Sequence, residues 1–94
     1  MEILNVIYKT KKGMGETFYK HLCSDGIAEA TRSETGLITY NFYQSMDDPD
    51  EILLLEIWSN EETRAKHKTT KHYERLTELY QEYVDSYTVN AYQK

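Results

Sequence analysis

The sequence has 94 residues, of which 39% are hydrophobic and 13% aromatic, a composition that suits one globular domain over residues 1–94 and excludes a disordered chain. Sixteen acidic residues against eleven basic ones give a net charge of -5, and this negative field disfavours nucleic acid as a partner. No apolar run is long enough to cross a membrane, so no membrane association is expected. The single cysteine cannot form an internal disulfide and is typical of the reducing cytoplasm.

Apolar periodicity predicts strands and helices along the whole chain. In chain order they are a strand over 2–8, a helix over 16–33, a hairpin of strands over 37–44 and 52–58, helices over 60–68 and 71–84, and a strand over 86–92. The order is β-α-β-β-α-β, with the second helical region broken in two. It is characteristic of a ferredoxin-like α+β fold, in which helices cover one face of an antiparallel sheet.

The predicted first helix carries a glycine and the cysteine on its apolar stripe. Gly26 lies four residues after Leu22, where it would weaken the helix but allow close backbone approach. Cys23 falls on the same stripe and is expected to be a packed, inert side chain. The next helix has a predicted N-cap at Ser59, with Glu62 completing a capping box.

The strand over 52–58 is apolar on both of its faces. Alternation places Leu53 and Leu55 opposite Ile52 and Leu54, and the helices can cover only one face of the sheet. We expect Leu4, Val6, Leu53 and Leu55 to face water unless something covers them. A second copy of the chain is the simplest cover, so the sequence predicts a homodimer packed sheet against sheet. The alternative is a monomer that tolerates a partly apolar face.

Polar and aromatic residues cluster around the end of the same strand. Period-two geometry places Glu56 and Trp58 on one face, and Asn5 would approach them if its side chain points the same way. The following helix has almost no apolar stripe, which suggests the wall of a cleft. The candidates to line one pocket are Asn5, Glu56, Trp58, Thr63, His67 and His72.

Four of the candidates also have an ordinary structural interpretation, and that of His67 is a surface residue on a polar helix. Trp58 would plug the end of the core, His72 would be a packed and hydrogen-bonded histidine beside Leu76, and Glu56 would form a buried ion pair. His67 and His72 are five residues apart, so they do not form the i, i+4 metal pair of a single helix. The sequence has no cysteine cluster, phosphate loop or nucleophile elbow, and neither a metal nor another cofactor is expected.

The segments VIYKTKKG, ATRSETGLITYNFYQSMDDPDEILLLEIW and EIWSNEETRAKHKTTKHYERL resemble the antibiotic-biosynthesis-monooxygenase (ABM) family of small dimeric α/β-barrel proteins. The shared pattern is E-x-W-x8-H-x4-H at the junction between a strand and a helix. Lys71 departs from it, because the family has proline before the second histidine. The resemblance implies a quinol monooxygenase or an oxygenase of polycyclic phenols that works without flavin, haem or metal.

An oxygenation of this kind needs an electron-rich aromatic substrate that donates an electron to O₂ once it is deprotonated. His67 is the predicted general base, with His72 as a second candidate, and Asn5 would hydrogen-bond the substrate oxygen.

The predicted aromatic surface consists of Trp58, which would stack on a planar substrate, with Tyr40 and Phe42 if their strand faces inward. Glu56 and Thr63 complete the predicted substrate-binding set.

The resemblance leaves two other enzyme activities open. One is an isomerase or processing enzyme for a small phosphorylated dicarbonyl of the autoinducer-2 type, favoured by the segment HKTTKHY and by the basic residues Lys66, Lys68 and Lys71. The other is haem degradation, because Asn5, Trp58 and His67 are similar in placement to the Asn, Trp and His of haem-degrading relatives. A binding module without activity is the non-enzymatic alternative.

Overall fold

The computed structural model describes all 94 residues, which form one four-stranded antiparallel sheet with the helices on one face. In chain order the elements are β1 (Glu2–Thr10), α1 (Gly15–Ser24), α2 (Ile27–Arg32), β2 (Leu37–Gln44), β3 (Glu51–Trp58), α3 (Glu61–His67), α4 (Lys71–Tyr83) and β4 (Val84–Gln93). This arrangement confirms the predicted ferredoxin-like α+β fold. None of the helices combines the length and the apolar character that a membrane crossing requires.

The strand order is β2-β3-β1-β4, and the register determines which residues share a face. Glu56 pairs with Leu4 on one side and with Tyr40 on the other, so these residues all face the helices. Leu4 and Val6 are only 4% and 5% exposed. The prediction that they face water is therefore wrong, because they belong to the core under the helices.

The predicted helix over 16–33 is two helices separated at Gly26. This residue has φ +78° and forms the N-cap of α2, a left-handed conformation that glycine adopts without strain. A Cβ at Gly26 would have no neighbour within 4 Å, so backbone freedom is the reason for the glycine, and the predicted close approach is wrong. Cys23 is exposed on α1, which contradicts its predicted packing.

Helix α3 begins one residue later than the capping box predicts. Asn60 is the N-cap, and its side-chain oxygen accepts the backbone N–H of Thr63 at 2.9 Å. Ser59 instead donates its backbone N–H to the carbonyl of Gly36 at 2.7 Å. The N-cap prediction was wrong because serine and asparagine are about equally good N-caps, so the sequence does not choose between Ser59 and Asn60. The backbone hydrogen bond to Gly36 keeps Ser59 at the end of the hairpin, outside the helix.

The face of the sheet away from the helices is largely apolar. Its central side chains are partly exposed, and they are Ile3, Ile7, Leu53, Leu55 and Ile57. Tyr43 and Tyr92 flank them on the outer strands and are 50% and 55% exposed. The sequence prediction of an apolar second face is confirmed, with Ile3 and Ile7 in place of Leu4 and Val6.

Candidate functional site

Trp58 lies at the end of β3 with no exposed surface. Its indole N–H donates to Oε1 of Glu56 at 3.0 Å, because residues two apart on a strand share a face. The indole ring also packs on His67, with 5.1 Å between the ring centroids. Trp58 therefore holds a carboxylate and an imidazole in place at the junction between β3 and α3.

Glu34 joins His67 and His72 through a single carboxylate oxygen. Nδ1 of His67 lies 2.5 Å from Oε2 of Glu34, and Nε2 of His72 lies 2.8 Å from the same oxygen. An ionised carboxylate only accepts hydrogen bonds, so both ring nitrogens donate to it. In a neutral His67 this arrangement places the proton on Nδ1 and leaves Nε2 as a proton acceptor.

The turn between α3 and α4 brings the two histidines together. Thr70 is the N-cap of α4, and its side-chain oxygen accepts the N–H of Tyr73 at 3.2 Å. The same hydroxyl donates to the carbonyl of His67 at 2.7 Å, which fixes the turn. The histidine rings lie 5.6 Å apart on two different helices, so the single-helix spacing argument does not apply to them. The helix break is present although Lys71 replaces proline.

Close packing of the segment before β2 positions Glu34. Gly36 has φ +87°, and a Cβ at this position would lie 2.5–2.6 Å from the side chain of Thr63. Any larger residue at position 36 would push this segment away from α3. The glycine thus allows Glu34 to reach the histidines.

His67 also lines a cavity of about 150 Å³ between the sheet and helices α3 and α4. Its walls combine apolar side chains, three tyrosines and four charged or titratable groups, which are Leu4, Val6, Leu76, Val89, Tyr73, Tyr80, Tyr87, Glu56, Arg64, His67 and Lys68. An aromatic, partly apolar cavity with a few convergent polar groups is the usual form of a small-molecule site.

The charged groups of the cavity influence one another. Burial raises the pKa of Glu56, while the Trp58 N–H and the positive charges of His67, Arg64 and Lys68 act in the opposite direction. Glu56 is therefore a second group in this cavity that can exchange a proton.

Two phenols hydrogen-bond to each other beside the cavity. The hydroxyl oxygens of Tyr8 and Tyr80 lie 2.5 Å apart, and Tyr80 reaches the cavity wall. Burial is the main reason that the pKa of each phenol is raised, so both remain protonated at neutral pH. Tyr80 thus lines the cavity as a phenol that stays neutral.

Replacing Glu56 by glutamine is expected to stabilise the fold at neutral pH but not in acid. Because burial raises its pKa above 4.5, the folded protein retains a proton that the unfolded chain loses first as pH rises. The contribution of Glu56 to stability is thus greatest below the unfolded-state pKa and declines as pH rises through the folded-state pKa. Glutamine keeps an oxygen acceptor for Trp58.

Urea unfolding of both proteins between about pH 4 and pH 8 measures this difference. The free energies of unfolding should diverge as pH increases. A constant difference across that range would show that Glu56 does not titrate as its burial requires.

The structure separates Asn5 from the other predicted site residues. Asn5 pairs with Leu55 on β3 and therefore shares the face away from the helices. Glu56 and Trp58 lie on the opposite face. The predicted approach of Asn5 to these two residues is wrong, because the register between β1 and β3 places its neighbour Leu4 opposite Glu56.

Three further predicted residues do not line the cavity of His67. Tyr40 is 1% exposed and belongs to the core, with its ring 6.3 Å from His67. Phe42 lines a different cavity, of about 430 Å³, with Tyr19 on α1. Thr63 packs against Gly36. Trp58 and His72 do belong to the site, but they contact His67 and Glu34 rather than the cavity, so a substrate in the cavity would not stack on the indole.

Glu34 and the tyrosines of α4 and β4 were missed as site residues. Glu34 lies two residues before a glycine in a polar segment, and nothing in its spacing links it to residues more than thirty positions away. Tyr73 and Tyr80 fall on the apolar stripe of α4, where aromatic residues usually belong to the core. The one available indication was the excess of tyrosine, nine residues against two phenylalanines.

Comparison with known proteins identifies the family. The sequence model described as "Antibiotic biosynthesis monooxygenase" (ABM) matches residues 1–79. The chain belongs to the ABM family. A comparison with curated proteins finds no match.

Solved structures share the fold of this ABM chain over its whole length. A Nitrosomonas europaea protein is 23% identical and covers 100% of this chain and 98% of its own, with a TM-score of 0.89. A conserved protein from Methanosarcina mazei Go1 is 28% identical over 100% and 93% of the two chains, with a TM-score of 0.86. A protein named antibiotic biosynthesis monooxygenase is 20% identical over 100% and 98%, also with a TM-score of 0.86.

The match to the ABM family model ends within α4. The cavity is therefore lined in part by residues beyond the matched range, which are Tyr80, Tyr87 and Val89. Glu34, Glu56, His67 and His72 all lie inside them.

Proposed function

We propose that this ABM protein is a cofactor-independent monooxygenase for a single-ring hydroquinone or a similar electron-rich phenol. The observation that carries the proposal is the position of His67, which binds Glu34 through Nδ1 and also lines the aromatic cavity. A histidine held in this way is arranged to accept a proton from a bound phenol.

The proposed reaction begins with proton transfer from the substrate hydroxyl to Nε2 of His67. The imidazolium that forms is stabilised by the carboxylate of Glu34, while Arg64 and Lys68 offset the negative charge on the substrate oxygen. The anion then gives one electron to O₂, and the radical pair combines to form a C–O bond. The His67 imidazolium returns its proton to the resulting peroxide anion, and loss of water from this hydroperoxide leaves one oxygen atom in a hydroxyquinone product and the other in water.

The size of the cavity favours one aromatic ring. A space of about 150 Å³ is that of an apolar protein cavity known to hold benzene, and a polycyclic phenol or a haem group is much larger. His67 is also only 4% exposed, so a haem iron could reach its free Nε2 only if the cavity widened. The proposed substrate therefore has one ring and is smaller than the polycyclic phenols that the resemblance also implies.

A second candidate function is supported by Arg64 and Lys68. Two cationic side chains in a small cavity suit an anion, and a phosphorylated dicarbonyl would be bound by the same groups. His67 and Glu56 would then move protons between carbon and oxygen in an isomerisation. Such a reaction consumes no O₂, which separates the two candidates.

The proposed functional unit is a homodimer that forms the dimeric α/β barrel implied by the family resemblance. The partly exposed face around Ile7, Leu53 and Ile57 would pack on the same face of a second copy. Each copy would retain its own cavity, since the cavity opens on the helix side of the sheet.

Oxygen uptake by chelator-treated protein tests the proposed activity. Benzohydroquinone and its methyl derivatives should be consumed faster than they autoxidise, with one O₂ used per product and no release of hydrogen peroxide. Anthrones provide a polycyclic comparison and should react more slowly. Turnover of a phosphorylated dicarbonyl without oxygen uptake from any hydroquinone would contradict the oxygenase and support the isomerase.

A further inference from the structure

Glu34, His67 and His72 form a compact set of metal-binding donors. Their nearest nitrogen and oxygen atoms all lie within 4.8 Å of one another, although the residues belong to the segment before β2, the end of α3 and the start of α4. The side chains are 15%, 5% and 19% exposed, so solvent has limited access to them. We propose that these three residues bind one divalent transition-metal ion, with Zn²⁺ as the best fit.

The distances are close to those of a coordinated ion. With bonds of about 2.1 Å, the donors of a tetrahedral site lie roughly 3.4 Å apart. Oε2 of Glu34 is now 2.5 Å from His67 and 2.8 Å from His72, so each of these pairs must separate by less than about 1 Å. The two histidine nitrogens lie within 4.8 Å of each other and must approach by at most about 1.4 Å. Small side-chain rotations are sufficient, and the fourth position remains for water or another small ligand.

The donor types select the class of ion. Imidazole nitrogen suits Zn²⁺ and neighbouring first-row metals, whereas Mg²⁺ and Ca²⁺ prefer sites made entirely of oxygen. The backbone around the ligands is already fixed, because Thr70 holds the turn between the two helices and Gly36 holds the segment of Glu34 against α3. The site therefore requires little ordering when the ion binds.

A bound ion would also affect the proposed oxygenase. It would take the Nδ1 lone pair of His67 and place the ring proton on Nε2, the atom that must accept the proton of the phenol. Metal binding and general-base catalysis by His67 would then exclude each other. This consequence rests on the proposed function, but the site itself does not.

The fluorescence of Trp58 can be used to detect metal binding at this site. This residue is the only tryptophan, and its ring centroid lies 5.1 Å from that of His67, so a paramagnetic Co²⁺ ion at the site should quench its fluorescence. Chelator-treated protein is titrated with Co²⁺, and the visible absorption of the ion reports its coordination. We expect saturable binding of one ion per chain, parallel loss of Trp58 fluorescence, and displacement by Zn²⁺ but not by Mg²⁺.

Variants identify the ligands. Replacing His72 by glutamine or Glu34 by glutamine should weaken Co²⁺ binding by more than the roughly 10–100-fold that loss of an outer-sphere partner costs. His21→Gln is the matched control, because His21 forms another histidine–carboxylate contact, with Asp25 at 3.4 Å, and should bind as the wild type does.

Two results would overturn the site. The first is wild-type protein that shows no saturable quenching of Trp58 by Co²⁺. The second is binding that persists unchanged in a folded His72→Gln variant. Because these readouts need no substrate, a metal site without oxygenase activity and an oxygenase without a metal site are distinguishable outcomes.

Discussion

Replacing His67 by alanine is expected to lower kcat for hydroquinone oxidation by about 10²–10⁴-fold, the usual contribution of a positioned general base. No other histidine lines the cavity, and its Nε2 is the acceptor that the Glu34 contact leaves free. The loss should appear in kcat rather than KM, because the proton moves in the transition state. Initial rates of oxygen uptake at saturating substrate measure it in metal-free protein.

Two further histidine variants show whether the base is correctly assigned. His21→Ala, on α1 outside the cavity, should retain the wild-type rate. His72→Ala removes a hydrogen bond to Glu34 and should give a smaller loss than His67→Ala. If His72→Ala abolishes kcat while His67→Ala retains it, His67 is not the base.

In the proposed mechanism Glu34 acts through His67, so its variant needs a separate measurement. A glutamine at position 34 can donate its amide N–H to Nδ1, which would put the ring proton on Nε2 and remove the acceptor. We expect kcat to fall while KM and the shape of the unfolding transition stay close to wild type. A purely structural role would lower stability and leave the activity of the folded fraction unchanged.

The sequence predicted the parts of this fold that depend on local periodicity. Alternation along β3 correctly placed Glu56 and Trp58 with Ile52 and Leu54, because successive side chains of a strand point to opposite faces. It could not fix the face of Asn5, because a shift of one residue in the pairing of β1 with β3 exchanges the two faces. The observed pairing of Asn5 with Leu55 is a tertiary property of the sheet.

The sequence could not predict the whole site, because some of its contacts join residues that are far apart in the chain. The pattern that singled out Trp58, His67 and His72 belongs to one segment, and the structure brings these residues together there. Glu34 comes from a turn that reaches them only because Gly36 permits close packing on Thr63. The sequence could not decide whether Trp58 plugs the end of the core or faces the cavity, since the same alternation fits both positions, and the structure shows it buried.

Charging the open face of the sheet is expected to convert the proposed dimer into a folded monomer. The double variant Leu53→Asp/Leu55→Asp places two carboxylates among Ile3, Ile7, Ile57 and their neighbours. Unpaired charges in an apolar interface cost several kcal/mol, and two-fold symmetry introduces each of them twice. In the monomer the same positions are partly exposed, and Leu55 pairs with Asn5 and Asn41, so the charges keep access to water.

Light scattering at micromolar concentration distinguishes the two states, with circular dichroism to establish that the variant is folded. Met46→Asp is the matched control, because Met46 is 100% exposed in the turn between β2 and β3 and should leave the dimer intact. The wild-type melting temperature should also rise with protein concentration, as dissociation is coupled to unfolding, while that of the double variant should not. A wild type that is monomeric and well folded at this concentration would contradict sheet-to-sheet packing, and a double variant that remains dimeric would place the interface elsewhere.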